Sequence, residues 1–296
     1  PAISFNHGQS QVFGNGPKWF NSIYWGMSSY FKAQQNVSLV AETDSTWSDG
    51  RDYDVRYTTR HKFTLTSPQK FLGWLTMNPV VNFNEDWVYK YREAQLDSDG
   101  AFLKNSSGAV EYNELEKFRP RHTFSLSVSA NTKIYGTFPV RLGRLDALRH
   151  VMTPTIGFSW HPDFSKNVFG ADPGYFQKDI NGELYDRFNG STAGNTSRNE
   201  SKSISFSLNN EFQYKYLLGE NSYSKETFLT WNMSTGYNAT ADSLKFSPIN
   251  SSIRVLIPGG LDMDVSMSHN LYKLVPDSNG MLRTIDEFAP FPRLTS

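Results

Sequence analysis

The 296 residues carry 29 basic and 29 acidic side chains and no cysteine. Zero formal charge argues against nucleic acid or another polyanion as the main partner, because such proteins carry surplus Lys and Arg. Lack of cysteine removes disulfides, thiolate zinc sites, iron–sulfur clusters and cysteine nucleophiles, and the length allows one large domain or two ordinary ones.

Phe, Tyr and Trp number 22, 15 and 7, or 15% of the chain, and counting adds 34 Ser and 23 Asn. Asn and Ser compete with helical backbone, whereas aromatics sit well on pleated surfaces. No stretch approaches the 18 or so apolar residues of a membrane-spanning helix. The chain opens on Pro1 with no leader, so a processed or trimmed piece is expected.

In chain order, strands are expected at 2–8, 22–38 and 53–66, then at 71–92 and 121–140. In the last of these Phe124, Leu126, Val128 and Ala130 alternate with Ser125, Ser127 and Ser129. A strand at 150–160 precedes one at 201–217, where Ile204, Phe206 and Leu208 alternate with Ser203, Ser205 and Ser207. In 225–240 Leu229, Trp231, Met233, Thr235 and Tyr237 alternate with polar residues or glycine. The series closes with 246–257 and 261–273, the latter alternating from Leu261 to Leu271 except at His269. Period two is the mark of a strand with one apolar and one polar face. No segment of comparable length keeps a 3.6-residue period, so the protein reads as all-β.

Several of these strands exceed the 5–6 residues usual for sandwiches and reach the roughly 9–11 that a tilted strand needs to cross a bilayer. Their polar faces carry Ser, Asn, Gly and Thr rather than Lys and Glu, which suits the wet interior of a large barrel. Aromatics gather near strand ends, as at Trp19, Trp74, Trp87, Tyr135, Trp160 and Tyr214, in the manner of interfacial girdles. Short turns at 67–70 and 258–260 contrast with long connections near 94–117 and 161–200, which are ordinary on the outer face of a barrel. The expected fold is an antiparallel transmembrane β-barrel over 1–296 with those two long external loops. A soluble all-β core filled by the same aromatics is the alternative at this point.

The run Leu148-Arg149-His150-Val151-Met152-Thr153-Pro154-Thr155-Ile156-Gly157-Phe158-Ser159-Trp160-His161-Pro162-Asp163-Phe164 resembles a signature of the LptD-type lipopolysaccharide assembly proteins. There an Arg-His pair precedes a strand entered through Pro and left through a Pro-Asp-Phe loop. Residues 237–249, from Tyr237-Asn238-Ala239 to Ser247-Pro248-Ile249, and the openings Pro1-Ala2-Ile3-Ser4-Phe5-Asn6 and Trp19-Phe20-Asn21-Ser22-Ile23 are similar to the Bacteroidetes and Chlorobi branch of that family. The resemblance implies a place in the cell outer membrane and non-catalytic movement of lipopolysaccharide to the outer leaflet, without cofactor. It implies as partners lipopolysaccharide, outer-membrane lipid, a plug lipoprotein of LptE type and a periplasmic bridge protein of LptA type. No jellyroll precedes Pro1 and about ten strands are too few for the family's barrel, so a section of a large outer-membrane barrel is expected.

For a carrier of lipid A, the cluster Arg141, Arg144, Arg149 and His150 is the candidate contact for lipid phosphates, since guanidinium binds them bidentately. A solvated rim, salt-bridged to Asp146, is the plainer account. Pro154 lacks a ladder N–H and is the candidate weak point in strand pairing. The six histidines form no metal motif, and no metal is expected. Asp97-Ser98-Asp99-Gly100 imitates a calcium loop, but Gly108 stands where the twelfth-position acid belongs, so a turn is expected. Asp262 and Asp264 read as solvated lumen carboxylates. Two other functions stay open: an outer-membrane barrel hydrolase, needing a partnered histidine such as His150 or His161 near a strand end, and a soluble carbohydrate-binding β-sandwich.

Overall fold

The computed structural model describes residues 1–39, 51–143, 145–219, 222–257 and 260–295. Its strands are β1 (Ala2–Gln11), β2 (Tyr24–Leu39), β3 (Arg51–Thr66), β4 (Gln69–Phe71), β5 (Leu75–Val88), β6 (Tyr91–Ala94) and β7 (Tyr112–Leu115). They continue with β8 (Arg119–Asn131), β9 (Ile134–Leu142), β10 (Leu145–His161), β11 (Phe176–Lys178) and β12 (Leu184–Asp186). Last come β13 (Ser201–Gly219), β14 (Ser222–Asn238), β15 (Ile249–Ile257), β16 (Leu261–Pro276) and β17 (Leu282–Leu294). Among the described residues, apart from one four-residue 3-10 turn at Trp19–Ser22, the regular structure is all strand. The protein is all-β and antiparallel.

Two compact units share these strands. The first comprises Pro1–Ser67, Val80–Leu126 and His161–Glu200, and the second Pro68–Pro79, Ser127–Trp160 and Ser201–Ser296. Strands β5 and β8 run through both.

In the first unit β2 pairs with β1 and β3, and β3 with β5. The register places Tyr30, Arg60 and Asp86 side by side on one face, and Ser29, His61 and Glu85 on the other. Alternation along β3 then gives a polar row, Thr58, Arg60, Lys62 and Thr64, backed by the apolar Tyr57, Phe63 and Leu65. The segments after β5 and after β10, expected as loops, carry two small sheets, β6–β7 and β11–β12. Around them lies the core: Val88, Tyr91, Phe164, Tyr175 and Phe188, with Phe188 fully buried.

In the second unit β14 pairs with β13 and β15, and β16 with β15 and β17. Strand β10 neighbours β13 and also carries the β9 hairpin. The apolar rows here stay open: Ile156, Phe158, Phe206, Met263 and Val265 are all exposed. Among the described residues the strand path ends at β1 and β17, and the sheet is not closed.

Two details depart from the sequence reading. Strand β17 was not expected: Pro290 and Pro292 break its pattern, yet an end strand tolerates prolines whose missing N–H points away from the ladder. The hairpin before β5 turns at Leu72-Gly73, both at positive φ (52° and 76°), with 69–71 already paired to 75–77, rather than at 67–70. The turn expected at 258–260 lies outside the described residues except Gly260, whose φ is 98°.

Candidate functional site

The long strands of the second unit present two hollows on opposite faces. The more polar one, of about 430 Å³, is lined chiefly by Thr153, Thr155, Ser207, Asn209, Asn232, Ser234, Asn250, Ser252, Ser266 and Ser268, with Leu208, Met233 and Met267 also reaching it. Strict alternation makes it: β13, β14, β15 and β16 each send their hydroxyls and amides to this face. Some pair across the ladder, as Asn209 does with Asn232 at 2.5 Å and Ser159 with Ser203 at 2.7 Å. No charged side chain lines it. Nearer the β15–β16 turn, Asp262 and Asp264 stand 3.4 and 3.9 Å from Arg254, all three more than half exposed.

The other hollow, about 500 Å³, is apolar, lined chiefly by Leu75, Ala130, Pro154, Ile156, Phe206, Leu208, Met233 and Ile249. Pro154 sits where the neighbouring strand fails. The Thr132 N–H donates to the Pro154 carbonyl at 3.3 Å, but Pro154 has no N–H to return. Opposite it β8 ends at Asn131 and β9 begins at Ile134, so one long strand is cut in two. Thr132 turns its hydroxyl to the Trp74 carbonyl instead, at 2.9 Å.

The arginine–histidine cluster is divided by alternation. His150 lies flat on Phe212, with ring centroids 4.3 Å apart, and its Nε2 is 3.0 Å from Asn210 Oδ1. Arg149, its neighbour on the strand, points to the opposite face, its guanidinium 4.8 Å above the Tyr135 ring. Arg141 belongs to β9, but its side chain, and Arg144 altogether, lie outside the described residues. Asp146 bonds Lys215 at 2.7 Å.

In the first unit the sequence reading missed a charged clasp. Arg121, with a 3% exposed side chain, donates to Asp86 Oδ2 through Nη2 at 2.8 Å, and Asp86 is 2% exposed. Arg60 reaches the same carboxylate through Nε at 2.5 Å. Both arginines also donate to carbonyls of the 161–200 segment: Arg60 to Ala193, Arg121 to Ala193 and Gly194. Thr196 completes the clasp, accepting from Arg121 Nη1 at 3.0 Å and donating to Asp186 at 2.9 Å. A second group, Arg56, Lys90 and Arg92 against Asp54, Glu114 and Glu116, ties the 89–118 segment to β3. Asp97 makes a turn, its Oδ1 accepting from the N–H groups of Asp99 and Ala101 at 2.9 Å. With both bonds on backbone amides, this carboxylate caps a turn.

A serine–histidine contact also escaped the sequence reading. Ser29 Oγ is 2.8 Å from His61 Nδ1, and Glu85 is next across the ladder. Glu85 Oε1, however, accepts from Trp87 Nε1 at 2.9 Å and lies 3.3 Å from His122 Nε2. His61 Nε2 is buried without a hydrogen-bond partner, so no acid orients the ring as an acyl-transfer triad requires. His161 packs edge-on against Phe164. Among the described residues no group of three or more metal-ligating side chains converges.

Long antiparallel strands, polar on one face and openly apolar on the other, define a protein built for a boundary between water and an apolar phase. The family model described as LptD protein matches residues 1–272, and the chain belongs to that family. The family comprises outer-membrane, non-enzymatic components of lipopolysaccharide transport and assembly. Among the described residues no helix is long and apolar enough to cross a membrane, which says nothing about crossing by strands. No curated protein and no solved structure matches the chain.

Proposed function

We propose that this chain is a section of a large transmembrane β-barrel that moves lipopolysaccharide into the outer leaflet. The observation that carries the reading is the pair of hollows on opposite faces of the same strands in the second unit. Uncharged hydroxyls and amides suit the sugar part of the lipid, which exchanges water hydrogen bonds for protein ones at little net cost. Exposed Ile156, Phe158, Phe206, Met263 and Val265 suit hydrocarbon, because an apolar surface of that extent is unfavourable in water. Pro154 and the break between β8 and β9 interrupt the backbone pairing, and acyl chains would part the ladder there.

Eleven strands on the described path support a section rather than a whole barrel, since bacterial single-chain barrels close with an even number. The segments 94–117 and 161–200 would then be folded external loops. Arg149 is the contact we assign to lipid phosphates, with Arg141 and Arg144 near it in sequence; His150, stacked on Phe212, would support the strand. Partners on this reading are lipopolysaccharide, outer-membrane lipid, an LptE-like plug lipoprotein and an LptA-like bridge protein. No covalent step and no cofactor is involved.

Photo-crosslinking in cells tests this directly. A photoreactive residue at Ser252 should capture lipopolysaccharide, and one at Met233 should capture bilayer lipid. Capture of soluble protein or nothing at Met233, or of no lipopolysaccharide at Ser252, would overturn the reading.

A further inference from the structure

Among the described residues on the polar face of the first unit the charges do not balance. Around Glu114 they do, three cations meeting three carboxylates. One step along β3, Arg60 and Arg121 share the single carboxylate of Asp86. The nearby Asp186 is occupied by the N–H groups of Phe188 and Thr196. Beyond Arg60 come Lys62 and, on β2, Lys32, neither with an ion pair or hydrogen bond among the described residues. The chain as a whole is neutral, so this surplus is local.

The register gathers these groups. Arg60 faces Tyr30 across the ladder, Lys62 faces Ser28 on one side and Asn84 on the other, and Lys32 faces Thr58. Diagonal and next-but-one neighbours on one face lie roughly 7–8 Å apart, a spacing that one phosphorylated headgroup spans. Arg60 keeps 43% of its side chain exposed although it holds Asp86, so its outer edge is free to bind. Tyr30, also 43% exposed, offers a ring face, and Ser28 and Asn84 offer hydrogen bonds. Cations with no counter-charge among the described residues, beside an exposed ring and small polar groups, make a recognition surface for a phosphorylated sugar.

We propose that Lys32, Arg60 and Lys62 form a binding site for the phosphate groups of a glycolipid headgroup, with Tyr30 against the sugar. The proposal rests on the carrier reading and deepens it: besides the contact assigned to Arg149, the first unit has a phosphate site of its own.

The test uses the full chain in detergent. Three probes are compared: a bisphosphorylated glucosamine disaccharide lipid, the same lipid with its phosphates removed, and inorganic pyrophosphate. Lys32→Gln with Lys62→Gln should weaken the bisphosphorylated lipid about tenfold or more, the effect of losing charge-assisted hydrogen bonds, and should flatten its salt dependence. Binding of the dephosphorylated lipid should be equal in both proteins, and an unchanged Tm would show that the fold is intact. Unaltered affinity for the bisphosphorylated lipid in the double variant overturns the proposal while leaving the carrier reading standing. Pyrophosphate binding as tightly as the lipid makes this a site for free phosphate and overturns the assignment to a headgroup. Failure of both lipids to bind the unaltered chain overturns the carrier reading as well.

Discussion

Asp86 accepts from two guanidiniums, Arg121 buried and Arg60 partly exposed, and both arginines also hold carbonyls of the 161–200 segment. A buried charge pair adds little net stability over an apolar replacement, but removing one partner strands the other without water. Asp86→Ala should therefore cost about 3–5 kcal/mol, seen in the denaturation midpoint, with amide exchange rising first around Phe188–Ser197. Wild-type exchange there would show that the clasp does not hold the segment. Glu114 answers to pH. Burial pushes its carboxyl up, but hydrogen bonds from Arg56, Arg92 and Lys90 outweigh this and leave it below the ordinary 4.5. A lowered native value means stability present above the unfolded value and lost as pH falls through the native one. The near-UV circular dichroism of this region should thus be flat above about pH 5 and decline below the ordinary carboxylate value, and Glu114→Gln should reduce that dependence to the part left by Asp54, whose carboxyl burial raises but Lys90 and Arg56 lower overall.

At the level of single strands, the pairing between β8 and β10 has a defect that one substitution can repair. Pro154→Val supplies the missing donor opposite Thr132, so the ladder should gain about 0.5–1.5 kcal/mol. Amide exchange near Thr132 should slow, and lipid delivery should slow with it if parting of this ladder is the route. In the β4–β5 hairpin, Leu72 holds φ at 52° while 81% exposed, a left-handed conformation that costs an L-residue roughly 1–2 kcal/mol. Leu72→Asn should raise the unfolding midpoint, since Asn tolerates that region better. Strands were legible in the sequence wherever Ser alternates with Phe, Leu or Val, because period two reports directly which face meets water. The folded core was not. Phe164, Tyr175 and Phe188 come from three separate places outside the strands with no common period, and only long-range packing unites them. Asp86, Arg60 and Arg121 are likewise far apart in sequence and meet through strand register alone. Arg149 and His150, adjacent in sequence, looked like one cluster, yet strand alternation sends them to opposite faces.

For the molecule as a whole, the decisive question is what medium touches the apolar rows. In a soluble β-protein such rows pack against a second layer and vanish from the surface. Here Met263 is 49% and Val265 37% exposed, while among the described residues the largest fully buried side chains are Phe164, Phe188, Val88 and Asp86, none of them in the second unit. Long strands with an open apolar face are an aggregation hazard in water and an ordinary surface in hydrocarbon. Met233 and Ser234 test the two environments, being adjacent on β14 with side chains alternating between its faces, each paired within the same ladder. In a bilayer, Met233→Arg near the midplane should cost about 2–4 kcal/mol, because a guanidinium has to be dragged out of water. Ser234→Arg, facing the polar hollow, should cost much less. Urea titration in lipid vesicles reads both values. Were the two variants equally stable, both faces would be wet and the barrel reading would fall, and with it the sideways route for acyl chains at Pro154. A large gap would place hydrocarbon against Met233 and leave the polar hollow as the path for sugar.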